Sequence, residues 1–184
     1  WARARAGLGA RAADEGLVDV AFERHDSPLG AILVAATELG LVRVGLPACD
    51  EDEVLDDLAA RISPRILAGP RAAVTQARHE LDEYFAGRLR DFAVPLDWRL
   101  TTGFRREVLR ATARIPYGGT SSYRDMAIEA GSPRAVRAAG TALATNPLAI
   151  VVPCHRVVRS DGTLGRYGGG VDAKALLLGL EGAR

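Results

Sequence analysis

The sequence has few of the features that mark membrane, disulfide-bonded or metal-binding proteins. Its 184 residues include only two cysteines, Cys49 and Cys154, which could form at most one disulfide. No apolar run approaches the roughly 20 residues that cross a bilayer, and we therefore expect no membrane partner. No Cys-x-x-Cys or His-x-x-x-His pair accompanies His25, Cys49 or His79, so we expect no metal site.

Basic and acidic residues are nearly equal in number, which excludes a strong overall electrostatic field. The chain is 48% hydrophobic and 26% charged, which is typical of a globular protein, and its formal net charge is +1. Any affinity for nucleic acid must therefore come from a local cluster of basic side chains.

An open, reactive thiol suits a reducing compartment better than an oxidising one, so we expect a cytoplasmic location.

The first half of the chain predicts a small α/β domain. Residues 1–16 are expected to be a disordered lead or a trimmed boundary, and residues 17–98 to form the domain itself. Three strand patterns precede two amphipathic helices, which favours a small antiparallel sheet with helices packed on it. The strands are expected at 17–24, 31–36 and 39–46, and the helices at about 50–62 and 71–86. Residues 97–103 are typical of a linker.

Residues 99–184 predict a mainly helical domain with a helix-turn-helix, like the winged-helix folds. Ser122 is placed to cap a helix that runs from about Tyr123 to Ala130. Ser132 and Pro133 form the favoured pair for the start of a second helix. Helix, tight turn and helix is the layout of a DNA-binding helix-turn-helix, although any helical hairpin shows the same pattern.

The second of these helices carries a stripe of small residues. Alanines recur at i, i+3, i+4 and i+7, and they are Ala135, Ala138, Ala139 and Ala142. Such a face allows close approach either by a neighbouring helix or by another surface. Arg134 and Arg137 beside the stripe favour a groove lined with phosphates, although arginine is also common on ordinary solvated helix surfaces.

The most informative stretch is 146–158. The apolar residues 148–152 predict a short buried extended segment, which Pro153 ends because proline lacks an N–H and has a fixed φ. Cys154, His155 and Arg156 follow at once, so a thiol, an imidazole and a cation lie together. A lone cysteine among aliphatic residues is more often a small buried hydrophobe than a nucleophile, and both readings are open on this evidence.

The string Pro-Cys-His-Arg-Val closely resembles the active-site segment of the O6-alkylguanine-DNA alkyltransferases. The resemblance runs from about Ile115 to Gly182, and a looser similarity reaches back to about Val18. It implies transfer of an alkyl group from guanine in double-stranded DNA to the protein's own Cys154, by a monomer that needs no cofactor. Thiolate attack at carbon forms a thioether, so each molecule would react once.

The resemblance also implies a catalytic set, which comprises Asn146, Cys154, His155 and Glu181. Asn146 would brace the turn that holds the cysteine, and Glu181 would orient His155 and favour its positive form. An unperturbed thiol has a pKa of about 8.5, and we expect these surroundings to lower it.

A DNA-binding surface and a base pocket are implied in the same way. The DNA-binding residues would be Tyr123, Arg124, Ala135, Arg137 and Ala138. The base pocket would comprise Tyr123, Val157, Tyr167 and Gly168. In the family, the arginine at the position of Arg137 fills the gap left by a flipped nucleotide. Many members carry serine at the position of Gly168, so a side-chain contribution there is in doubt.

Two other functions are compatible with parts of the sequence. A lesion-binding module without transfer would use the same DNA-binding surface, but related proteins of that kind have another residue in place of the cysteine. A Cys-His hydrolase would use the same thiol and imidazole, turn over repeatedly and need no DNA.

Overall fold

The computed structural model describes residues 18–183, and this part of the chain divides into two compact units. The division falls between Leu100 and Thr101, two residues beyond the boundary expected from the sequence. The expected lead at residues 1–16 lies outside the described residues. Within 18–183, no helix has both the length and the apolar character needed to cross a membrane.

The first unit is built on a four-stranded sheet with the order β3-β2-β1-β4. The strands are β1 Val20–Ser27, β2 Gly30–Thr37, β3 Gly40–Gly45 and β4 Ile66–Ala68. The first three form the expected antiparallel meander. The expectation of a purely antiparallel sheet is wrong in one respect, because β4 pairs with β1 in parallel. This three-residue strand is too short to show a periodic pattern, and so the sequence did not reveal it.

Two helices cover this sheet: α1 spans Glu51–Arg61 and α2 spans Ala72–Phe85. Asp50 caps α1, since its side chain accepts hydrogen bonds from the N–H groups of Asp52 and Glu53. The apolar face of α1 joins the core of the sheet. This core comprises Val20, Leu33, Ala35, Val42, Val54, Leu58 and Leu100.

The segment expected to be a linker is firmly attached to this unit. Asp97 is buried and accepts a 2.5 Å hydrogen bond from the hydroxyl of Thr37. The Arg99 guanidinium donates to the same carboxylate at 2.8 Å. Asp97 and Arg99 therefore anchor the start of the expected linker to this unit.

The second unit is mainly helical. Its helices are α3 Gly103–Thr112, α4 Tyr123–Glu129, α5 Val136–Ala144 and α6 Gly170–Leu180, and a short parallel pair joins β5 Ser121–Ser122 to β6 Val157–Val158. Ser122 caps α4 as expected, in a reciprocal capping box with Asp125. Helices α4 and α5 pack together as the helix-turn-helix.

The start of α5 differs from the expectation. Ser132 does not cap it; instead the Ala135 N–H donates to the Ser132 carbonyl at 2.9 Å and closes a turn around Pro133 and Arg134. The helix begins at Val136, with Ala135 as its N-cap residue. Proline favours the first inner position of such a turn as strongly as it favours the first turn of a helix, so the sequence pair fits both structures.

Candidate active site

The loop that precedes Cys154 is a tight buried turn rather than an extended segment. The Val152 N–H donates to the Leu148 carbonyl at 2.8 Å, and Val151 donates to Ala149 at 2.9 Å. Ile150 has a φ of 70°, a left-handed conformation that is rare for a β-branched residue. The loop is buried throughout, and this burial holds Ile150 in its strained conformation.

Asn146 braces this turn and also reaches the thiol. Its side-chain oxygen accepts from the Leu148 N–H at 3.0 Å. Its amide nitrogen lies 2.8 Å from the Val152 carbonyl and 3.1 Å from Cys154 Sγ, and donates to both. A single side chain therefore fixes the turn and places a hydrogen-bond donor on the sulfur.

Cys154 opens a 3₁₀ turn that spans Cys154–Arg156, and only 7% of the residue is exposed. Burial raises the pKa of the thiol, while the hydrogen bond from Asn146 and the positive charge of Lys174 oppose the rise. The expectation that the surroundings lower this pKa is therefore wrong for the free protein. In the absence of substrate, the group is held as a neutral thiol.

His155 and Glu181 form a buried pair, with 2.8 Å between Nε2 and Oε1. Burial lowers the pKa of His155, although the carboxylate opposes the shift. The imidazole is therefore neutral near pH 7, whereas the resemblance implied its positive form. A neutral imidazole is able to accept a proton.

Arg156 is a member of this cluster that the sequence analysis did not assign to the site. Its Nε donates to Glu181 Oε2 at 2.8 Å and its Nη2 donates to Oε1 at 2.9 Å. The Gly118 N–H adds a 3.3 Å contact to the same carboxylate. The guanidinium also donates to the Ile115 carbonyl at 2.6 Å, so Glu181 is held by several donors within a buried network.

Lys174 is a second buried charged group that the sequence analysis missed. It lies on α6, is 0% exposed, and donates from Nζ to the Val157 carbonyl at 2.5 Å. Charged side chains are rarely buried without a specific partner, so this position calls for an explanation.

A cleft of about 440 Å³ opens onto Cys154. This volume is within the range of small-molecule sites. The lining residues are Tyr123, Val136, Arg137, Gly140, Thr141, Leu143, Ala144, Cys154, Arg159, Gly165, Arg166 and Tyr167. Two of the four residues expected in the base pocket, Tyr123 and Tyr167, are among them. Val157 is fully buried behind the lining, and Gly168 is exposed on the loop outside it.

Three of the expected DNA-binding residues are exposed on the helix-turn-helix, but the alanine stripe differs from the expectation. Arg124, Arg137 and Ala138 are exposed, and Ala135 is half-buried at the N-cap of α5. The alanine stripe does not form a single outward face, because Ala139 and Ala142 are in the core. The exposed residues of α5, which form its outward face, are Arg137, Ala138, Thr141 and Ala144.

Comparisons with known proteins show the family of this chain. Two family models match the chain: the ribonuclease-like domain of 6-O-methylguanine DNA methyltransferase over residues 14–98, and its DNA-binding domain over residues 103–183. The chain belongs to this family. A methylated-DNA–protein-cysteine methyltransferase of Mycolicibacterium paratuberculosis is 41% identical over 88% of this chain and 92% of the relative. One from Methanosarcina barkeri is 39% identical over 87% and 96%.

Solved structures of the family have the same fold. A Mycobacterium tuberculosis OGT in complex with DNA superposes with a TM-score of 0.76 at 37% identity, covering 88% of this chain and 92% of that one. An α/β unit followed by a helical DNA-binding unit is thus the architecture of both proteins. Within residues 18–183, no group of three or more His, Cys, Asp or Glu side chains is arranged to hold a metal ion.

Gly165 and Tyr123 both line the cleft and lie too close together for a larger residue at position 165. Gly165 has a φ of 68°, and a Cβ at this position would lie 2.8 Å from Tyr123 Oη. We expect Gly165→Ala to displace the Tyr123 ring and to slow the reaction with the free base O6-methylguanine by about tenfold or more. The measurement is a single-turnover rate.

Gly162→Ala is the matched control, because Gly162 has a φ of 81° but open space around its Cβ position. It carries the same kind of backbone strain without the collision. Equal losses in the two variants would show that strain in the loop, rather than the width of the cleft, limits the reaction.

Proposed function

We propose that this chain repairs O6-alkylguanine in double-stranded DNA by transferring the alkyl group irreversibly to Cys154 Sγ. The observation that carries the proposal is the position of this sulfur, buried at the inner end of a cleft that two tyrosines and Arg137 line. A planar base fits between aromatic side chains, and the alkyl group on O6 would then face the thiol.

The reaction needs only Cys154 and the buried pair of His155 and Glu181. The thiolate attacks the alkyl carbon, the S–C bond forms, and the C–O6 bond breaks. The thiol proton passes to His155 and then to the leaving guanine, which departs as the neutral base. The Glu181 carboxylate, 2.8 Å from His155 Nε2, stabilises the imidazole while it carries the proton. The thioether has no low-barrier return path, so each molecule acts once.

The burial of Cys154 supports base flipping. A guanine stacked in a duplex cannot bring its O6 substituent to the sulfur of a residue that is only 7% exposed. The base must therefore be rotated out of the helix and into the cleft. Arg137 is exposed and lines the cleft, which supports a role in filling the space that the base leaves. Tyr123 lines the receiving side.

The charge distribution supports DNA as the partner. Residues 101–184 contain twelve arginines and lysines against six acidic residues, while residues 1–100 contain twelve against seventeen. The near-neutral total thus conceals one basic unit and one acidic unit. The basic unit carries the helix-turn-helix, where attraction to phosphates supports binding.

We also propose that the protein acts as a monomer in the cytoplasm. The side chains of the candidate site come from one chain, between Tyr123 and Glu181, so a second copy is not required to complete it. A reducing compartment would keep the thiol available.

The direct test is intact-mass measurement after incubation with duplex DNA that contains O6-methylguanine. We expect each molecule to gain one methyl group, located by peptide mapping on Cys154 and not on the exposed Cys49. Cys154→Ser should bind the same DNA without gaining mass, because a hydroxyl is a far weaker nucleophile than a thiolate.

The same experiment separates the two other candidate functions. Repeated turnover with no mass gain would indicate a Cys-His hydrolase. Binding of the lesion with neither mass gain nor turnover would indicate a lesion-binding module. Methylation at Cys49 would overturn the assignment of Cys154.

A further inference from the structure

Lys174 is the only lysine in the sequence. The other 23 basic side chains, excluding histidines, are all arginine. This one lysine is completely buried, on the turn of α6 that packs behind the nucleophile. Among residues 18–183, the most enclosed cationic position is therefore occupied by the smaller, compact ammonium of the single lysine.

The contacts of Lys174 direct its charge toward the active site. Nζ donates to the carbonyl of Val157, the residue that follows the Cys154–Arg156 turn. Nζ also lies 5.9 Å from the centre of the Tyr123 ring, which lines the cleft. The ammonium is thus between the backbone that carries the nucleophile and the aromatic wall of the base pocket.

The titratable and charged groups that interact with Lys174 include Cys154, His155 and Arg159. Burial lowers the pKa of Lys174, a Cys154 thiolate raises it and Arg159 lowers it, and the net result of these effects is a pKa of about 8. In the reverse direction, Lys174 lowers the pKa of the Cys154 thiol. At pH 7 the lysine is therefore largely protonated, and its charge favours ionisation of the thiol.

We propose that Lys174 is the buried counter-ion of the Cys154 thiolate, compensating the negative charge that forms on sulfur when the thiol ionises for attack. Asn146 supplies a hydrogen bond to the sulfur, but it carries no charge. Glu181 neutralises much of the charge around Arg156 by pairing with it on both carboxylate oxygens. The inference rests on the proposed role of Cys154, and it makes Lys174 a positioning residue that acts through the nucleophile.

A purely structural role is the alternative. In that case Lys174 would matter because it satisfies the Val157 carbonyl, and its charge would be incidental. Two variants separate these roles. Lys174→Met removes both charge and donor, while Lys174→Gln removes the charge and retains an N–H donor.

The experiment measures the rate of Cys154 alkylation by iodoacetamide as a function of pH, in a Cys49→Ser background. In this reaction the thiolate sulfur bonds to the reagent's carbon and iodide leaves, so the rate reports the thiolate fraction without DNA. We expect both Lys174 variants to react about tenfold or more slowly at pH 7, which corresponds to a rise of one unit in the thiol pKa. Their rates should converge with the unsubstituted rate in alkaline solution, where the thiol is ionised in every variant.

Arg110→Met is the matched control, because it removes an exposed cation from the same unit. It should leave the pH profile unchanged. A normal rate for Lys174→Gln would assign the role to the hydrogen bond and overturn the inference. A slowing that persists in alkaline solution, or a large drop in the melting temperature of both variants, would also overturn it by showing structural damage.

The result that would contradict the proposed function differs from the result that would contradict the inference about Lys174. If Cys154 is not the acceptor, the protein with Lys174 intact will not gain a methyl group on it from O6-methylguanine DNA. If only the counter-ion role is wrong, that methylation will occur, and the pH profile of iodoacetamide alkylation for Lys174→Gln will coincide with that of the protein with Lys174 intact.

Discussion

Glu181→Gln is expected to lower the free energy of unfolding by about 3 kcal/mol or more, because it leaves a buried cation without its anion. The carboxylate accepts two hydrogen bonds from Arg156 and contacts His155 Nε2 at 2.8 Å. A neutral amide can accept on one atom only. Chemical denaturation measures the loss of stability directly.

The same substitution should slow alkyl transfer by about tenfold or more in conditions where the variant is folded. The carboxylate would no longer stabilise the imidazole during proton transfer. His155→Ala and the double variant should then be similarly slow, because residues that act as a unit have non-additive effects. Rates that multiply would show that Glu181 and His155 act independently.

Asp125→Asn is the control for the stability measurement. Asp125 is an exposed acidic residue of the same unit, and its carboxylate accepts from both the N–H and the hydroxyl of Ser122. Loss of this capping box is expected to change stability by only about 1 kcal/mol. A loss as large as that of Glu181→Gln would show that any acidic residue in this unit matters equally.

Ala138→Glu is expected to weaken DNA binding by about a hundredfold, or about 3 kcal/mol. Ala138 is exposed on the outward face of α5, where a longer, negative side chain would both block close approach and repel phosphates. Affinity for duplex DNA at fixed salt is the measurement. The rate with free O6-methylguanine should be unchanged, because the free base does not need the DNA-binding face.

Arg137→Ala provides the contrast at the neighbouring position. Because we propose that Arg137 fills the space left by the flipped base, its loss should slow repair in duplex DNA by about tenfold while retaining most of the affinity. The reaction with the free base should be nearly unchanged. Arg134→Ala removes an exposed cation from the adjacent turn and should not slow the chemical step. Equal losses for Arg137→Ala on duplex and free base would indicate a role in the pocket rather than in flipping.

Much of the architecture could be predicted because it depends on local signals. The three strands of the meander, the capping of α4 by Ser122 and the end of α6 at Glu181 each follow from residues that are close together in sequence. The family resemblance added the long-range pairing of His155 with Glu181, which no local pattern could give. That pairing spans 26 residues and depends on the fold.

The features that were missed depend on burial rather than on pattern. The left-handed Ile150 is maintained by tertiary packing against its own conformational preference. The thiol pKa was expected to fall, but desolvation outweighs the hydrogen bond from Asn146. The sequence shows that Lys174 is the only lysine, but its burial and its hydrogen bond to the Val157 carbonyl are visible only in the structure.

The single lysine makes the nucleophile's surroundings visible to spectroscopy without any substitution. Protein grown on lysine labelled with ¹⁵N at the side-chain amine would give one ammonium resonance, since residue 174 is the only source. Protons of a buried, hydrogen-bonded ammonium exchange slowly with solvent, which favours detection. The chemical shift of this resonance would respond as a base enters the cleft, and again when alkylation converts the Cys154 thiol to a thioether.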